Sequence, residues 1–192
     1  MDALSARINS LPVSATLAMA AKARELKNEG IDVIGLSLGE PDFNTPEFIK
    51  DAAIQAVNDN YNSYSPVDGY VDLKQAICTK FKRDNGITYG LDQIVVSTGA
   101  KQSIANICMV LLDPGDEVLL PAPYWVSYSA IATLAEATST IIPSSIETDF
   151  KITPEQLEAA ITPKTKLIMF NSPNNPSGTI YTEAEYRALG KV

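Results

Sequence analysis

The sequence predicts an α/β fold in which helices cover both faces of a mostly parallel sheet. Apolar segments rich in β-branched residues alternate along the chain with longer segments of helical periodicity. The connections between them are short, and no repeat or low-complexity tract interrupts the pattern. Strands that alternate with helices in this way pair in parallel, because each helix carries the chain back across the sheet.

The first half of the chain contains more helix signals than strand signals. An Ala-rich helix is predicted over Ala15–Glu29, and Gly30 ends it because glycine suits the left-handed cap position. The apolar, β-branched segment Asp32–Leu38 predicts a short strand. Further helices are predicted from Pro46, which suits a first turn, to about Asn58, and over Tyr70–Arg83, where apolar residues recur at four-residue spacing.

The second half alternates regularly between strands and helices. The predicted strands are Ile94–Ser97, Glu117–Leu120, Thr138–Ile142 and Leu167–Phe170. Predicted helices run from Gly99 to Leu112 and from Tyr124 to Leu134. Two capping boxes, Thr153–Gln156 and Thr182–Glu185, predict two more helices, and we expect the second to be still helical where the sequence stops.

Composition excludes several classes of chemistry. The 192 residues include no histidine, so Ser-His-Asp or Cys-His catalysis, histidine-ligated zinc and a histidine pH switch are excluded within this chain. Proton transfer must then use lysine, tyrosine, cysteine, a carboxylate or a cofactor. The net charge of −8 argues against a nucleic-acid partner, which requires a basic face. A small anionic ligand needs only a local positive site.

The sequence also predicts a cytoplasmic protein. The start of the sequence has no basic region followed by an apolar run, so no signal peptide is expected. The longest apolar run, Ile107–Leu112, is far too short to span a membrane. Cys78 and Cys108 are far apart and fit no metal spacing, so we expect both to be core thiols in a reducing compartment.

Ligands of parallel α/β sheets bind at the carboxyl ends of strands, so the segments that follow strands are the candidate sites. At Thr98–Lys101 a helix begins directly after a predicted strand, and Gly99 and Ala100 leave its first amides uncovered. Free amides and the helix dipole form an anion site, although an ordinary tight turn would have the same pattern. Lys101 favours the anion, since a cation in the first turn otherwise opposes the dipole by about 0.3–1 kcal/mol.

Three further side chains are candidates for binding. Trp125, the only tryptophan, follows a Pro-rich strand end and could stack on a planar ring or simply pack. Asn175 lies in a turn-rich loop beside Asn174, for which turn chemistry alone is expected. Turn chemistry is the alternative for Asn175 too, but the proline after it favours an extended conformation that could aim its amide into a cleft. The hydroxyl of Tyr64, between two helices, could donate to an anion, although the default alternative is surface packing.

The motifs taken together resemble the class I pyridoxal-phosphate aminotransferases, in particular the bacterial aspartate aminotransferase branch. The resemblance extends from about Leu4 to the last residue, and it depends on six ordered stretches. They are Leu38–Phe43, Tyr64–Gly69, Ser97–Gln102, Leu112–Val118, Pro123–Tyr128 and Asn171–Gly178. Each is modestly specific, whereas their occurrence in this order is very specific.

The resemblance implies pyridoxal 5′-phosphate as cofactor and a role for each matching residue. The turn formed by Gly99, Ala100 and Lys101 would hold the phosphate through its amides, and Trp125 would stack on the pyridine ring. Asn175 would hydrogen-bond the phenolic oxygen of the ring. These three contacts would fix the orientation of the cofactor, which is the task of the protein in a cofactor enzyme.

The resemblance also implies substrate and subunit contacts. The substrates would be an amino acid and a 2-oxo acid, with transfer from aspartate to 2-oxoglutarate expected. Gly39 would lie against the substrate, where its backbone can approach closely, and Trp125 would also contact the substrate. Asn175 would bind its α-carboxylate, and Lys101 is associated with the distal carboxylate of aspartate. Tyr64 would reach the phosphate bound by the neighbouring subunit, which implies a homodimer.

One departure limits what this chain can do alone. The Ser-x-Ser-Lys motif of the cofactor-linked lysine, the Asp that pairs with the pyridine nitrogen and the arginine for the α-carboxylate are absent from the sequence. The resemblance therefore implies an N-terminal portion with about half the cofactor site. Residues 1–44 would form an N-terminal arm and the first part of the small domain, and residues 45–192 the first half of the large, cofactor-binding domain.

Three hypotheses about the function follow from this resemblance. The first is a full-length aminotransferase of which this portion is inactive alone. The second is a β-lyase or a cyclopropane-forming synthase of the same fold, since these relatives share the phosphate, tryptophan and asparagine contacts. The third is a non-catalytic fragment that binds or dimerises, with an unpaired sheet edge that favours association.

Overall fold

The computed structural model describes residues 3–11, 15–36, 39 and 41–192. The chain divides into two compact units, which are considered separately. One comprises the described residues of Met1–Pro12 together with Ser97–Val192, and the other those of Val13–Val96. The domain boundary expected after residue 44 stays a prediction. No described helix is long and apolar enough to cross a membrane.

The first unit contains a parallel sheet and five α-helices among its described residues. In chain order they are α1 (Ala6–Asn9), α5 (Ala100–Leu111), β1 (Glu117–Pro121), α6 (Ser127–Leu134), β2 (Thr138–Ile142), α7 (Pro154–Ala160), β3 (Thr165–Ile168) and α8 (Glu183–Leu189), with the helices numbered in chain order across both units. The strand order is β2-β1-β3, with every described pair parallel. This confirms the parallel sheet predicted from the alternation of strands and helices.

Both faces of the sheet are covered by helices, as the sequence predicts. Val118 and Leu120 of β1 point to one face, where they join the core cluster that contains Cys108 of α5 and Ile131 of α6. Leu119 points to the opposite face and packs in a second cluster with residues of α7 and α8. All three β1 side chains are almost completely buried, because β1 is the central strand.

The second unit is helical, with α2 (Ala15–Asn28), α3 (Glu47–Asn58) and α4 (Val71–Asn85) joined by loops. Gly30 follows α2 with a φ of +83°, which confirms its role as a left-handed cap. Gly86 ends α4 in the same conformation, and its N–H donates to the Lys82 carbonyl. Both cysteines of the chain are buried and free, as expected for core thiols.

Two predicted strands do not form, and the reason is the same for both. Residues 32–36 of the Asp32–Leu38 segment have no strand structure, while Ser37 and Leu38 lie outside the described residues. Ile94–Ser97 also forms no strand, and the Val96 N–H donates instead to the Asp68 carbonyl at 3.1 Å. A strand requires a hydrogen-bonded neighbour, and no described residue pairs with either segment.

Three boundaries also differ from the sequence prediction. The helix expected from Tyr124 begins at Ser127, because the Pro-containing segment after β1 first makes an irregular turn. The strand expected over Leu167–Phe170 is β3, Thr165–Ile168, shifted towards the residues that pair with β1. The helix expected to continue to Val192 ends at Leu189, where the Gly190 N–H donates to the Tyr186 carbonyl.

Candidate functional site

The loops after the three strands are joined at the carboxyl edge of the sheet. β1 ends at Pro121, and its neighbours β2 and β3 run parallel to it, so all three following loops leave from the same edge. The Asn174 side-chain Nδ2 donates to the Pro123 carbonyl at 3.3 Å, which links the loops after β3 and β1. Ser144, after β2, donates its hydroxyl hydrogen to the Ala122 carbonyl. These hydrogen bonds hold the three loops in fixed positions, so the side chains that they carry are held at this edge of the sheet.

The N-terminus of α5 has the geometry of an anion site. Gly99 precedes the helix with a φ of +86°, a conformation that L side chains rarely adopt. The Thr98 N–H is satisfied by the Gln102 side chain. Within its own unit, no described acceptor meets the N–H of Ala100 or Lys101. Two free amides at the positive end of a 12-residue helix are suited to an anion.

Lys101 and Trp125 are in direct contact. The Lys101 Nζ lies 5.0 Å from the centroid of the Trp125 ring, within cation–π distance. The indole also meets the Tyr128 ring edge to face, with centroids 5.6 Å apart and an interplanar angle of 84°. Burial raises the pKa of the Tyr128 hydroxyl above its ordinary value. Trp125 is half-buried against the core cluster, so it packs and still presents part of its ring.

Asn175 is exposed in the loop that Asn174 ties to the sheet edge. Its backbone N–H donates to the Asn171 side-chain Oδ1 at 3.4 Å. In the described part of the chain, the Asn175 side-chain amide has no hydrogen-bond partner, so it is available to a ligand. Asn174 instead accepts from Ser177 and anchors the turn, which confirms the turn chemistry expected for it.

Tyr64 and Gly39 belong to the second unit and are described within it. The Tyr64 side chain is fully exposed, so it does not pack on its own unit, which was the alternative expected from the sequence. A Cβ atom added at Gly39 would meet no described atom within 4 Å. The structure thus brings Lys101 and Trp125 together and places Asn175 on a loop braced to the same sheet edge.

Sequence reasoning missed the residues that hold this edge together. The sequence predicts Asn174 to be a turn residue only, although its side-chain amide also connects the loop after β3 to the loop after β1. The roles of Gln102 and Ser144, which satisfy the Thr98 N–H and the Ala122 carbonyl, were not predicted. Their positions in the sequence could have indicated these roles, since all three are polar residues within a few positions of a strand end or a helix start.

The parallel sheet with helices on both faces, and the helix start with free amides at its carboxyl edge, belong to a fold that is shared with aminotransferases. The sequence model of the family "Aminotransferase class I and II" matches residues 31–192, and the chain belongs to this family. Family membership confirms the resemblance derived from the six motifs, and pyridoxal phosphate is the general cofactor of the group.

The names of individual relatives describe a more specific activity than the family description does. The chain is 51% identical to an aspartate/prephenate aminotransferase of Nitrosomonas europaea, covering 98% of this chain and 48% of the relative. It is also 51% identical to an aspartate aminotransferase of Bacillus subtilis, with the same coverage. The chain thus spans about half the length of the curated relatives it matches.

Solved structures confirm the fold. The aspartate aminotransferase of Rhizobium meliloti superposes with a TM-score of 0.93 at 48% identity, covering 98% of this chain and 47% of that structure. The Thermus thermophilus aspartate aminotransferase with maleate gives a TM-score of 0.94 at 40% identity, covering 100% and 50%.

The residues present fit the ring and the phosphate of the cofactor. The phosphate requires donors and positive charge, and the free amides of Ala100 and Lys101 with the Lys101 ammonium supply both. The ring requires a flat apolar surface, and Trp125 supplies one. The open space around Gly99, where an added Cβ would meet nothing within 4 Å, leaves room for the phosphate.

Proposed function

We propose that the full-length protein is a pyridoxal-phosphate aminotransferase that transfers the amino group of aspartate to 2-oxoglutarate. The observation that carries the proposal is the contact between Lys101 and Trp125 beside two free helix amides. It supports the proposal because the chain belongs to an aminotransferase family and is about half identical to aspartate aminotransferases. The residue roles below belong to this proposal.

In this proposal the first unit supplies three separate contacts to the cofactor. The amides of Ala100 and Lys101, with the open conformation at Gly99, bind the phosphate. Trp125 stacks against the ring and excludes water from one of its faces, while its edge contact with Tyr128 keeps the indole from rotating. Asn175 donates its free amide to the phenolic oxygen of the ring. Three contacts at different points of one ligand fix its orientation.

The substrate contacts proposed here are those that the family resemblance implies for individual residues. Lys101 attracts the distal carboxylate of aspartate, Asn175 donates to its α-carboxylate, and Trp125 borders the substrate from the ring side. Gly39 lies against the substrate, because a backbone without Cβ permits close approach. The exposed Tyr64 hydroxyl donates to the phosphate held by a second subunit, so we propose a homodimer whose site is shared.

Bound pyridoxal phosphate supplies the electron sink for chemistry at the substrate α-carbon. The residues of this chain bind and orient, and none of them is assigned a proton transfer. That assignment is consistent with a chain without histidine. Because the sequence contains no Ser-x-Ser-Lys motif, we propose that the 192-residue chain alone catalyses no transamination.

The experiment is an assay of oxaloacetate formation by the full-length protein with aspartate, 2-oxoglutarate and pyridoxal phosphate. We expect turnover by the full-length protein and none by the 192-residue chain. Asn175→Ala should weaken cofactor binding, whereas Asn58→Ala, an exposed asparagine at the end of α3, should not. Failure of the full-length protein to form a keto acid from any amino acid would contradict the proposal. Release of ammonia or thiol without transamination would favour a lyase instead.

A further inference from the structure

The loop that carries Tyr64 is closed at its base. The rings of Tyr61 and Tyr70 meet edge to face, with centroids 5.9 Å apart and an interplanar angle of 72°. Between them, the side chains of Tyr64 and Val67 are fully exposed. The loop from Tyr61 to Tyr70, called the tyrosine loop below, therefore has a fixed base and a tip whose side chains contact nothing in their own unit.

The tyrosine loop is also held by a buried charge. Lys74, in the first turn of α4, is 6% exposed and is the only charged side chain classed as buried among the described residues. Its ammonium forms an ion pair with the Asp68 carboxylate near the end of the loop. This hydrogen bond holds the pKa of Asp68 below its ordinary value. Since a buried ammonium is stable only with a partner, Asp68 is constrained to the position where Lys74 meets it.

Two backbone contacts fix the same end of the loop. The Asp68 carbonyl accepts from the Val96 N–H at 3.1 Å, and the Gly69 N–H donates to the Pro66 carbonyl at 3.0 Å. Gly69 has a φ of +101°, and a Cβ there would lie 2.6 Å from the Val96 side chain. Any other residue at position 69 would be strained and would displace Val96, so the loop has one close-packed conformation at this point.

We infer that Lys74 and Asp68 are positioning residues that hold the tyrosine loop so that the Tyr64 hydroxyl can meet the phosphate bound by a second copy of the chain. The role of Tyr64 in this inference rests on the proposed function. The positioning role of Lys74 and Asp68 rests on their ion pair. Neither side chain touches the phosphate. Their pairing reduces the number of conformations of the loop, so that less ordering remains to be done when Tyr64 meets its ligand.

The test is a double-mutant cycle in the cofactor-free full-length protein. Wild type, Tyr64→Phe, Lys74→Met and the double variant are titrated with pyridoxine 5′-phosphate and with pyridoxine, which lacks the phosphate. We expect each single variant to weaken binding of the phosphorylated compound by about tenfold, as for one hydrogen bond to a charged group, and to leave pyridoxine unchanged. The double variant should bind no more weakly than either single variant.

Two control variants separate positioning from folding. Lys82→Met removes an exposed lysine from the same helix and should change nothing, while Lys74→Arg retains the charge and should recover part of the affinity. If Lys74→Met does not fold, Asp68→Asn takes its place, since it weakens the pair and leaves Lys74 present. Amide hydrogen exchange over residues 62–69 should rise in whichever of these variants is used.

The results that would contradict the positioning role of Lys74 and Asp68 differ from the result that would contradict the proposed function. Unchanged exchange over residues 62–69 in the Lys74→Met protein overturns the inference alone, and so does an equal loss of affinity for both ligands. A double variant whose loss is the product of the two single losses also overturns it. A wild-type protein without affinity for either ligand overturns the proposed function.

Discussion

Removing the Lys101 ammonium should weaken anion binding while leaving the fold almost equally stable. In Lys101→Met the cation–π contact with Trp125, at 5.0 Å, is lost, which costs about 0.5–1 kcal/mol at an exposed site. The same change removes a cation from the positive end of α5, which returns about 0.3–1 kcal/mol. The two effects nearly cancel, so the free energy of unfolding should stay within about 0.7 kcal/mol of wild type.

For anion binding, no second effect of the substitution offsets the loss of the Lys101 ammonium. When no substrate carboxylate is present, the Lys101 ammonium is available to the phosphate. A hydrogen bond from an ammonium to a phosphate contributes about 1.5–3 kcal/mol, so its loss should weaken binding about 10- to 150-fold. The chain has a single tryptophan, so its fluorescence reports on Trp125 alone. We would titrate the 192-residue chain with pyridoxine 5′-phosphate, which has the ring and phosphate but no aldehyde to react with lysines.

The matched control is Lys164→Met, which makes the same change of charge at the opposite end of the sheet, just before β3. It should leave both the affinity and the emission of Trp125 unchanged. The reasoning is refuted if both lysine variants weaken binding equally, because net charge would then be the cause. It is also refuted if Lys101→Met lowers the stability by much more than the calculated difference while affinity is retained.

Three further changes have defined outcomes in the full-length protein. Gly99→Ala has space for its methyl group, but the φ of +86° and ψ of 163° lie in a region that almost only glycine adopts. It should therefore cost about 1–3 kcal/mol in chemical denaturation and weaken phosphate binding. Leu119→Ala, at 1% exposure, should cost about 2–5 kcal/mol, whereas Val110→Ala on the exposed side of α5 should stay within about 0.5 kcal/mol. The N-cap backbone of α8 and the Lys151 ammonium hold the pKa of Glu185 below its ordinary value. The stabilisation from Glu185 is therefore complete above the ordinary pKa of a glutamate and is lost as the pH falls through the lowered pKa. Glu185→Gln should flatten that part of the acid-unfolding profile.

Elements with local signals were predictable from the sequence. The two capping boxes form as expected, with Thr153 accepting from the Gln156 N–H and Thr182 from the Glu185 N–H. These interactions lie within four residues, so the sequence alone specifies them. The turn chemistry of Asn174 was predictable for the same reason.

Elements that depend on distant partners were not predictable. Ile94–Ser97 has the composition of a strand, yet strand structure is a property of a pair, and no described neighbour pairs with it. The bridge from Asn174 to the Pro123 carbonyl joins residues 51 positions apart, which no local pattern indicates. The ion pair of Lys74 was missed because a lysine in a helix is usually exposed, and only the packed structure shows its burial.

The acidity of the chain does not oppose the proposed phosphate site. A net charge of −8 spread over the chain would repel a long polyanion, which meets many surface charges at once. A single phosphate responds mainly to charges within about 8 Å at physiological ionic strength, because salt screens the more distant ones. Near the start of α5 the described donors are two backbone amides and one ammonium, all of them positive in effect. Salt should therefore weaken phosphate binding only modestly, whereas loss of Lys101 should weaken it at every ionic strength.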